Sequence, residues 1–142
     1  MRGSMEKQYL VDPRLIVDIL DNDPEWGERS AKLIDSYSEY LLVLAPISYL
    51  ALGPAFMGMR TMQDEFLANL GITVAQKTPL DVMHAAYKAW CAYQQENPKA
   101  KGIGSVFDSL YVGAHALLYD GFLTRQGDLY RKYYQTLNII EP

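Results

Sequence analysis

The sequence has little cysteine and histidine, and it has no long apolar run. One cysteine, Cys91, excludes an internal disulfide and is typical of a reducing compartment, so we expect a cytoplasmic protein with Cys91 in its core. No apolar run approaches the roughly 20 residues of a membrane-spanning helix, so no membrane partner is expected. There is also no glycine-rich phosphate loop and no internal repeat, which excludes the nucleotide-binding loops and repeat folds that depend on them.

An excess of basic residues is also missing, because 17 acidic residues outnumber 13 basic ones and the net charge is −4. RNA binding would therefore need a local basic patch or metal ions rather than a general electrostatic attraction. The chain does have a hydrophobic fraction of 49% over 142 residues, which suits one globular domain with a real core. We predict a single domain over residues 5–142, preceded by a vector leader, MRGS, at residues 1–4.

Short apolar runs alternate with helical patterns along the chain. Strands that are buried on both faces read as continuous apolar runs, and helices between them produce right-handed crossovers. The pattern therefore predicts an α/β protein, a three-layer α/β/α sandwich around a five-stranded, mostly parallel sheet. The predicted strands are Gln8–Val11, Leu41–Ala45, Ile72–Ala75, Phe122–Thr124 and Leu137–Ile140.

Two places in this pattern suggest a site. Asp12 follows the first strand and precedes a helix that opens at Pro13, and ligands bind at that edge of open parallel sheets. A simpler interpretation is that Asp12 only caps the helix. Further on, Asp108 and Ser109 stand before a small-residue helix, where N-caps belong, and Gly113 at its centre predicts close packing against a neighbouring backbone.

Four stretches carry a family resemblance: YLVDPRLIVDILDNDPEWGERSAKLI, LVLAPISYLALGPAF, the GAHA that begins at Gly113, and FLTRQGDLYRKYYQTLNIIEP. Through them nearly all of residues 8–142 resembles the PIN-domain superfamily, and within it the VapC-type toxins of bacterial toxin–antitoxin pairs. The resemblance implies a magnesium-dependent endoribonuclease that forms a homodimer. It also implies an antitoxin partner, whose tail enters the active site.

The resemblance also implies about four carboxylates that hold the metal ion at the carboxyl ends of the strands. Asp12 keeps the first of these positions. The other three are occupied by Ala51, Ser109 and Gln126. Arg14 stands two residues from Asp12, where an Asp12–Arg14 pair would make the site neutral without any ion.

Two functions remain open from the sequence. The first is a PIN-like protein with a degenerate acidic site, a non-catalytic or very weakly active module that binds an antitoxin-like peptide, RNA or another PIN protomer. Ser48, in the S-Y-L-A-L that replaces the family motif, belongs to this site. The alternative is an endoribonuclease that uses Mg²⁺ or Mn²⁺ in a displaced site formed by Asp12, Asp108 and Asp128. Without that displaced site, no cofactor is expected.

Overall fold

A parallel sheet forms the centre of the computed structural model, which describes residues 6–99 and 105–142. Its strand order is β3-β2-β1-β4-β5, and all neighbouring strands are parallel. The predicted α/β architecture is confirmed. Because β1 is flanked by β2 on one side and β4 on the other, the strand order reverses at the carboxyl end of β1. The strands are β1 (Gln8–Val11), β2 (Leu41–Leu44), β3 (Ile72–Val74), β4 (Gly121–Leu123) and β5 (Ile139–Ile140).

Helices connect these strands and cover both faces of the sheet. Two of them open with proline at the first helical position, Pro13 after β1 and Pro46 after β2, where a missing N–H has no cost. In the described part of the chain, no helix is both long and apolar enough to span a bilayer. The helices are α1 (Pro13–Leu20), α2 (Gly27–Ser36), α3 (Pro46–Ala51), a 3-10 helix (Gly53–Phe56), α4 (Arg60–Asn69), α5 (Leu80–Glu96), α6 (Ser105–Ala116) and α7 (Gly127–Tyr133).

Two hydrophobic cores lie on opposite faces of the sheet. Successive strand residues point to opposite faces, so Val11 joins one core while its neighbour Leu10 joins the other. The first core contains apolar residues of α1, α2 and α4, and the second contains those of α5, α6 and α7. This arrangement is the predicted three-layer sandwich.

The glycine at the centre of α6 packs closely as predicted, but against two tyrosine rings rather than against a neighbouring backbone. A Cβ at Gly113 would lie 2.7 Å from Cδ1 of Tyr130 and 2.8 Å from Cε2 of Tyr134, both on or next to α7. The Tyr134 hydroxyl also donates to the main-chain oxygen of Leu110. The two tyrosine rings are therefore fixed against α6, and this fixes where the Tyr130 hydroxyl lies.

Two local predictions were wrong. Helix α6 begins at Ser105, so Asp108 and Ser109 lie inside its first turns rather than at its N-cap. Cys91 is exposed, because Val82 and Ala89 occupy the core face of α5 and Cys91 lies on the opposite face. Residues 1–4, the predicted leader, lie outside the described residues.

Candidate functional site

A cleft of about 300 Å³ opens at the carboxyl edge of the sheet, beside the end of β1. It brings together Asp12 after β1, Ala51 on α3 and Ser109 on α6, three of the four positions where the resemblance places an acid. Its walls are largely apolar, with polar groups on the floor and rim. The lining residues are Asp12, Pro13, Arg14, Val17, Ile47, Ser48, Ala51, Leu52, Asp108, Ser109, Val112 and Tyr130.

Asp12 is buried at the floor of this cleft, and both of its carboxylate oxygens accept hydrogen bonds from the protein. Oδ1 accepts the N–H of Arg14 at 2.9 Å, which caps α1, and Oδ2 accepts the hydroxyl of Thr124 at 2.7 Å. Thr124 Oγ1 in turn accepts the N–H of Gln126 at 3.1 Å. The carboxylate therefore caps a helix, as the simpler interpretation predicted, and it also joins β1 to the segment after β4.

Burial raises the pKa of Asp12 above its ordinary value. The hydrogen bonds from Thr124 and the Arg14 N–H act against this rise, as do the more distant positive charges of Arg14 and Arg125. The predicted direct Asp12–Arg14 charge pair is not formed, because Arg14 reaches the carboxylate through its main-chain N–H while its side chain is exposed. Asp12 therefore has no ion-pair partner within residues 6–99 and 105–142.

The opposite wall of the cleft carries hydroxyl groups. A hydrogen bond joins the side chains of Tyr130 and Ser109. Burial and the nearby negative charge of Asp12 both raise the pKa of Tyr130, so its hydroxyl keeps its proton. Ser48 on α3 is only 1% exposed, and its Oγ has no hydrogen-bond partner among the described residues. The lining of the cleft therefore includes one buried polar atom for which the described residues supply no partner.

Of the remaining predicted site residues, Asp108 lies in the cleft with Asp12, whereas Asp128 and Gln126 do not. Asp108 lines the rim of the cleft, but Asp128 lies on the outer surface of α7, where it pairs with Arg131 at 3.5 Å. Gln126 contributes its N–H to Thr124 and does not line the cleft. The three carboxylates of the displaced site are therefore not brought together.

These donors do not fit a magnesium ion. Mg²⁺ takes oxygen ligands in near-ideal octahedral geometry and is usually held by carboxylates together with substrate phosphates. Over the described ranges, no group of three Asp, Glu, His or Cys side chains is placed to hold a metal. Of the three expected acid positions in the cleft, only Asp12 is a carboxylate, since Ala51 and Ser109 offer none.

A second buried acid, which the sequence did not single out, supports the site from below. Asp18 on α1 accepts from Arg125 Nε at 2.7 Å and Nη2 at 3.1 Å, and from Ser30 Oγ at 3.2 Å. The Arg125 guanidinium also lies 4.9 Å from the ring of Trp26. Thr124 and Arg125 thus hold α1 at two points. In the sequence, only the position of Thr124 and Arg125 directly after a buried strand indicates that they belong near the site.

The likeness of this chain to known proteins is a likeness of fold. No protein-family model and no curated protein matches the sequence. Among solved structures, the chain is similar to one in the crystal structure of VapBC2 from Rickettsia felis bound to a DNA fragment from their promoter. The two share 11% identity and a TM-score of 0.66, over 94% of this chain and 98% of the other. The chain therefore shares the fold of that Rickettsia felis structure over nearly the whole length of both chains.

Proposed function

We propose that this chain is a PIN-fold binding module that takes a segment of a partner protein into its cleft and does not cleave RNA through a bound metal ion. The observation that carries the proposal is the state of Asp12. It is the one buried carboxylate in the described lining of the cleft, and over the described ranges no group of three potential ligands is placed to hold a metal. A metal-dependent nuclease needs several carboxylates at this place.

The chemistry of the lining favours a basic side chain of the partner. The lining holds two carboxyl groups, those of Asp12 and Asp108, and one guanidinium, that of Arg14, so its formal charge is negative. The unpartnered Oγ of Ser48 can accept a hydrogen bond, and the apolar walls suit the methylene groups of an arginine or lysine stem. A guanidinium group donates to several acceptors at once, which matches this cleft better than a compact metal ion.

The partner that we propose is an antitoxin-like protein. The Rickettsia felis neighbour was solved as VapBC2 with promoter DNA, and this chain shares its fold across nearly the whole length of both chains. Extending such a partner to this chain is an analogy of fold, and the cleft chemistry is an independent reason for it. RNA binding in the same cleft would instead meet a net negative lining.

Isothermal calorimetry with Mg²⁺ and Mn²⁺ tests the absence of a metal site. We expect no saturable heat in the millimolar range for the wild type, and the same trace for Asp12→Asn. Saturable binding below the millimolar range that disappears in Asp12→Asn would contradict the proposal. Metal-dependent RNA cleavage that disappears in the same variant would contradict it as well.

A second experiment tests the basic side chain. Amide NMR spectra of the protein are titrated with N-acetyl-arginine amide and with its neutral analogue N-acetyl-citrulline amide. We expect the arginine compound to shift signals around the cleft, with a smaller response in Ser48→Ala and an unchanged one in the exposed control Ser38→Ala. Equal responses to both compounds, or a response only to single-stranded RNA, would contradict it.

A further inference from the structure

A second cavity of about 300 Å³ lies between α5 and α6, beside the cleft. Among the described residues, its lining is aliphatic and aromatic, with no charged and no amide side chain. Such a volume is at the lower end of the range for small-molecule sites, which is about 300–1,000 Å³. We call this cavity the α5–α6 groove. Its four aromatic side chains are Tyr87, Trp90, Phe107 and Tyr111.

The aromatic wall of the groove is fixed by contacts that lie partly outside it. The ring centroid of Trp90 lies 5.2 Å from that of Phe107, at an interplanar angle of 87°, and 5.9 Å from that of Tyr93. Tyr93 in turn contacts Tyr133, whose hydroxyl donates to Glu96 Oε1 at 2.9 Å. Because these rings are already ordered, a flat apolar ligand can bind without the entropy cost of ordering them.

A carboxylate lies at the border between the groove and the cleft. Helix α6 lines both cavities, and at about 100° per residue Asp108 lies roughly 60° around this helix from Tyr111 of the groove. The other α6 residues of the cleft, Ser109 and Val112, lie further around. Asp108 is exposed and has no ion-pair partner within the described residues. Ile47 on α3 lines both cavities, so the two adjoin.

The charges around the groove are complementary to a cation. Lys88 is the one basic residue of α5 apart from His84, and it lies about 150° around the helix from the groove residues Met83 and Trp90. The faces of aromatic rings carry partial negative charge and attract cations. Together with Asp108, the groove therefore suits an apolar ring that carries a positive charge.

We propose that the α5–α6 groove binds a small aromatic amine, with the ring among the four aromatic side chains and the ammonium group at Asp108. The lining favours a small molecule over a peptide segment. The N–H and C=O groups of a buried peptide need hydrogen-bond partners, and the described lining offers no charged and no amide side chain to them. The inference stands apart from the proposed function of the cleft, since neither Asp12 nor Ser48 lines the groove.

Amide NMR titrations of the full chain with three indole compounds test this site. Tryptamine, tryptophol and indole-3-acetate share one ring and differ in the charge of the side chain, which is positive, neutral and negative. Tryptamine is expected to bind about two- to fivefold more tightly than tryptophol, the gain from one exposed ion pair, and indole-3-acetate more weakly than either. High salt is expected to reduce the advantage of tryptamine. Equal affinities for tryptamine and tryptophol would overturn the inference.

Two variants separate the contribution of the charge from that of the rings. Asp108→Asn is expected to remove the difference between tryptamine and tryptophol, whereas Asp81→Asn, at an exposed acid on the opposite side of α5, leaves the difference intact. Tyr87→Ala removes an exposed ring of the groove and is expected to weaken both compounds by about two- to tenfold. The exposed His84→Ala, outside the groove, is its control.

A third variant distinguishes the groove from the cleft. Ser48→Ala changes the cleft alone, so it is expected to leave the affinity for tryptamine unchanged. Loss of tryptamine binding in Ser48→Ala would place the ligand in the cleft and overturn the inference. An undiminished preference for tryptamine in Asp108→Asn would overturn it as well. Circular dichroism checks that each variant is folded.

Discussion

Replacing Asp12 with alanine is expected to destabilise the free protein, and the size of the loss can be worked from its two hydrogen bonds. The bond to the Arg14 N–H caps α1, and losing such a cap costs about 0.5–2 kcal/mol. The bond from the Thr124 hydroxyl is buried, and leaving that donor unpaired costs about 1–3 kcal/mol. Together the loss is about 1.5–5 kcal/mol. A carboxylate that was kept only to hold a metal among repelling acids would give the opposite sign, since its removal usually stabilises a fold.

Urea unfolding of the free protein measures this loss, with Asp35→Ala as the control. Asp35 is an exposed acid on α2, and its replacement is expected to change the free energy of unfolding by no more than about 0.5 kcal/mol. Thr124→Val removes the other partner of the buried bond. The double variant with Asp12→Ala is expected to lose about 1 kcal/mol less than the two single losses added together, because the singles remove one shared contact. An Asp12→Ala protein that is as stable as the wild type would refute the reasoning.

The raised pKa of Asp12 adds a pH dependence whose sign is fixed. Burial makes the folded state hold the proton of Asp12 more tightly than the unfolded chain does. The stability contributed by this group is therefore fully present below the unfolded pKa of about 3.9 and is lost as pH rises through the folded pKa. Because an asparagine side chain is neutral at every pH, the Asp12→Asn variant is expected to gain stability relative to the wild type as pH rises from about 4. A relative gain for the wild type over that range, in urea unfolding at a series of pH values, would show that the pKa is not raised.

Two further changes test the packing around the site by the same unfolding measurement. Arg125→Met is expected to cost about 3–5 kcal/mol, because it leaves the buried carboxylate of Asp18 without its charge partner, and a loss below about 1 kcal/mol would show that the pair contributes little. Gly113→Ala is expected to cost about 1–3 kcal/mol despite alanine's better helix propensity, because the new Cβ would lie 2.7 Å from the Tyr130 ring. Gly53→Ala, where a Cβ meets open space, is its control, and equal effects at the two glycines would contradict the packing argument.

The parts of the fold that the sequence predicted are those set by local patterns. The apolar run at Leu41–Leu44 can only be buried on both faces, and the prolines after β1 and β2 mark helix starts by their missing N–H. The position of Asp12 at the edge of the sheet follows from the same local order of strand and helix. Each of these features depends on residues that are close together in the chain, so the sequence alone is enough to predict it.

The parts that the sequence did not predict depend on contacts between distant residues. The Arg125–Asp18 pair and the Thr124–Asp12 bond join residues 107 and 112 positions apart, and no local pattern announces either. The exposure of Cys91 depends on which face of α5 meets the sheet. The contacts of these residues are set by how α1 and α5 pack against the rest of the protein. A local sequence pattern does not contain that information.

The buried hydroxyl of Ser48 helps to distinguish a cleft that has only lost its catalytic acids from a cleft that binds a ligand. A buried hydroxyl without a hydrogen-bond partner costs about 1–3 kcal/mol, and alanine would remove that cost with almost no change of shape. The neighbouring hydroxyls are satisfied, since Ser109 bonds Tyr130 and Thr124 bonds Asp12. The cleft therefore leaves one buried polar side-chain atom of its described lining open, beside a carboxylate with a net negative surround. A ligand that donates a hydrogen bond to this hydroxyl would offset the free-energy cost of burying it. In an empty cleft that cost has no compensation. The buried hydroxyl of Ser48 thus supports the proposed binding by a reason that is independent of the missing acids.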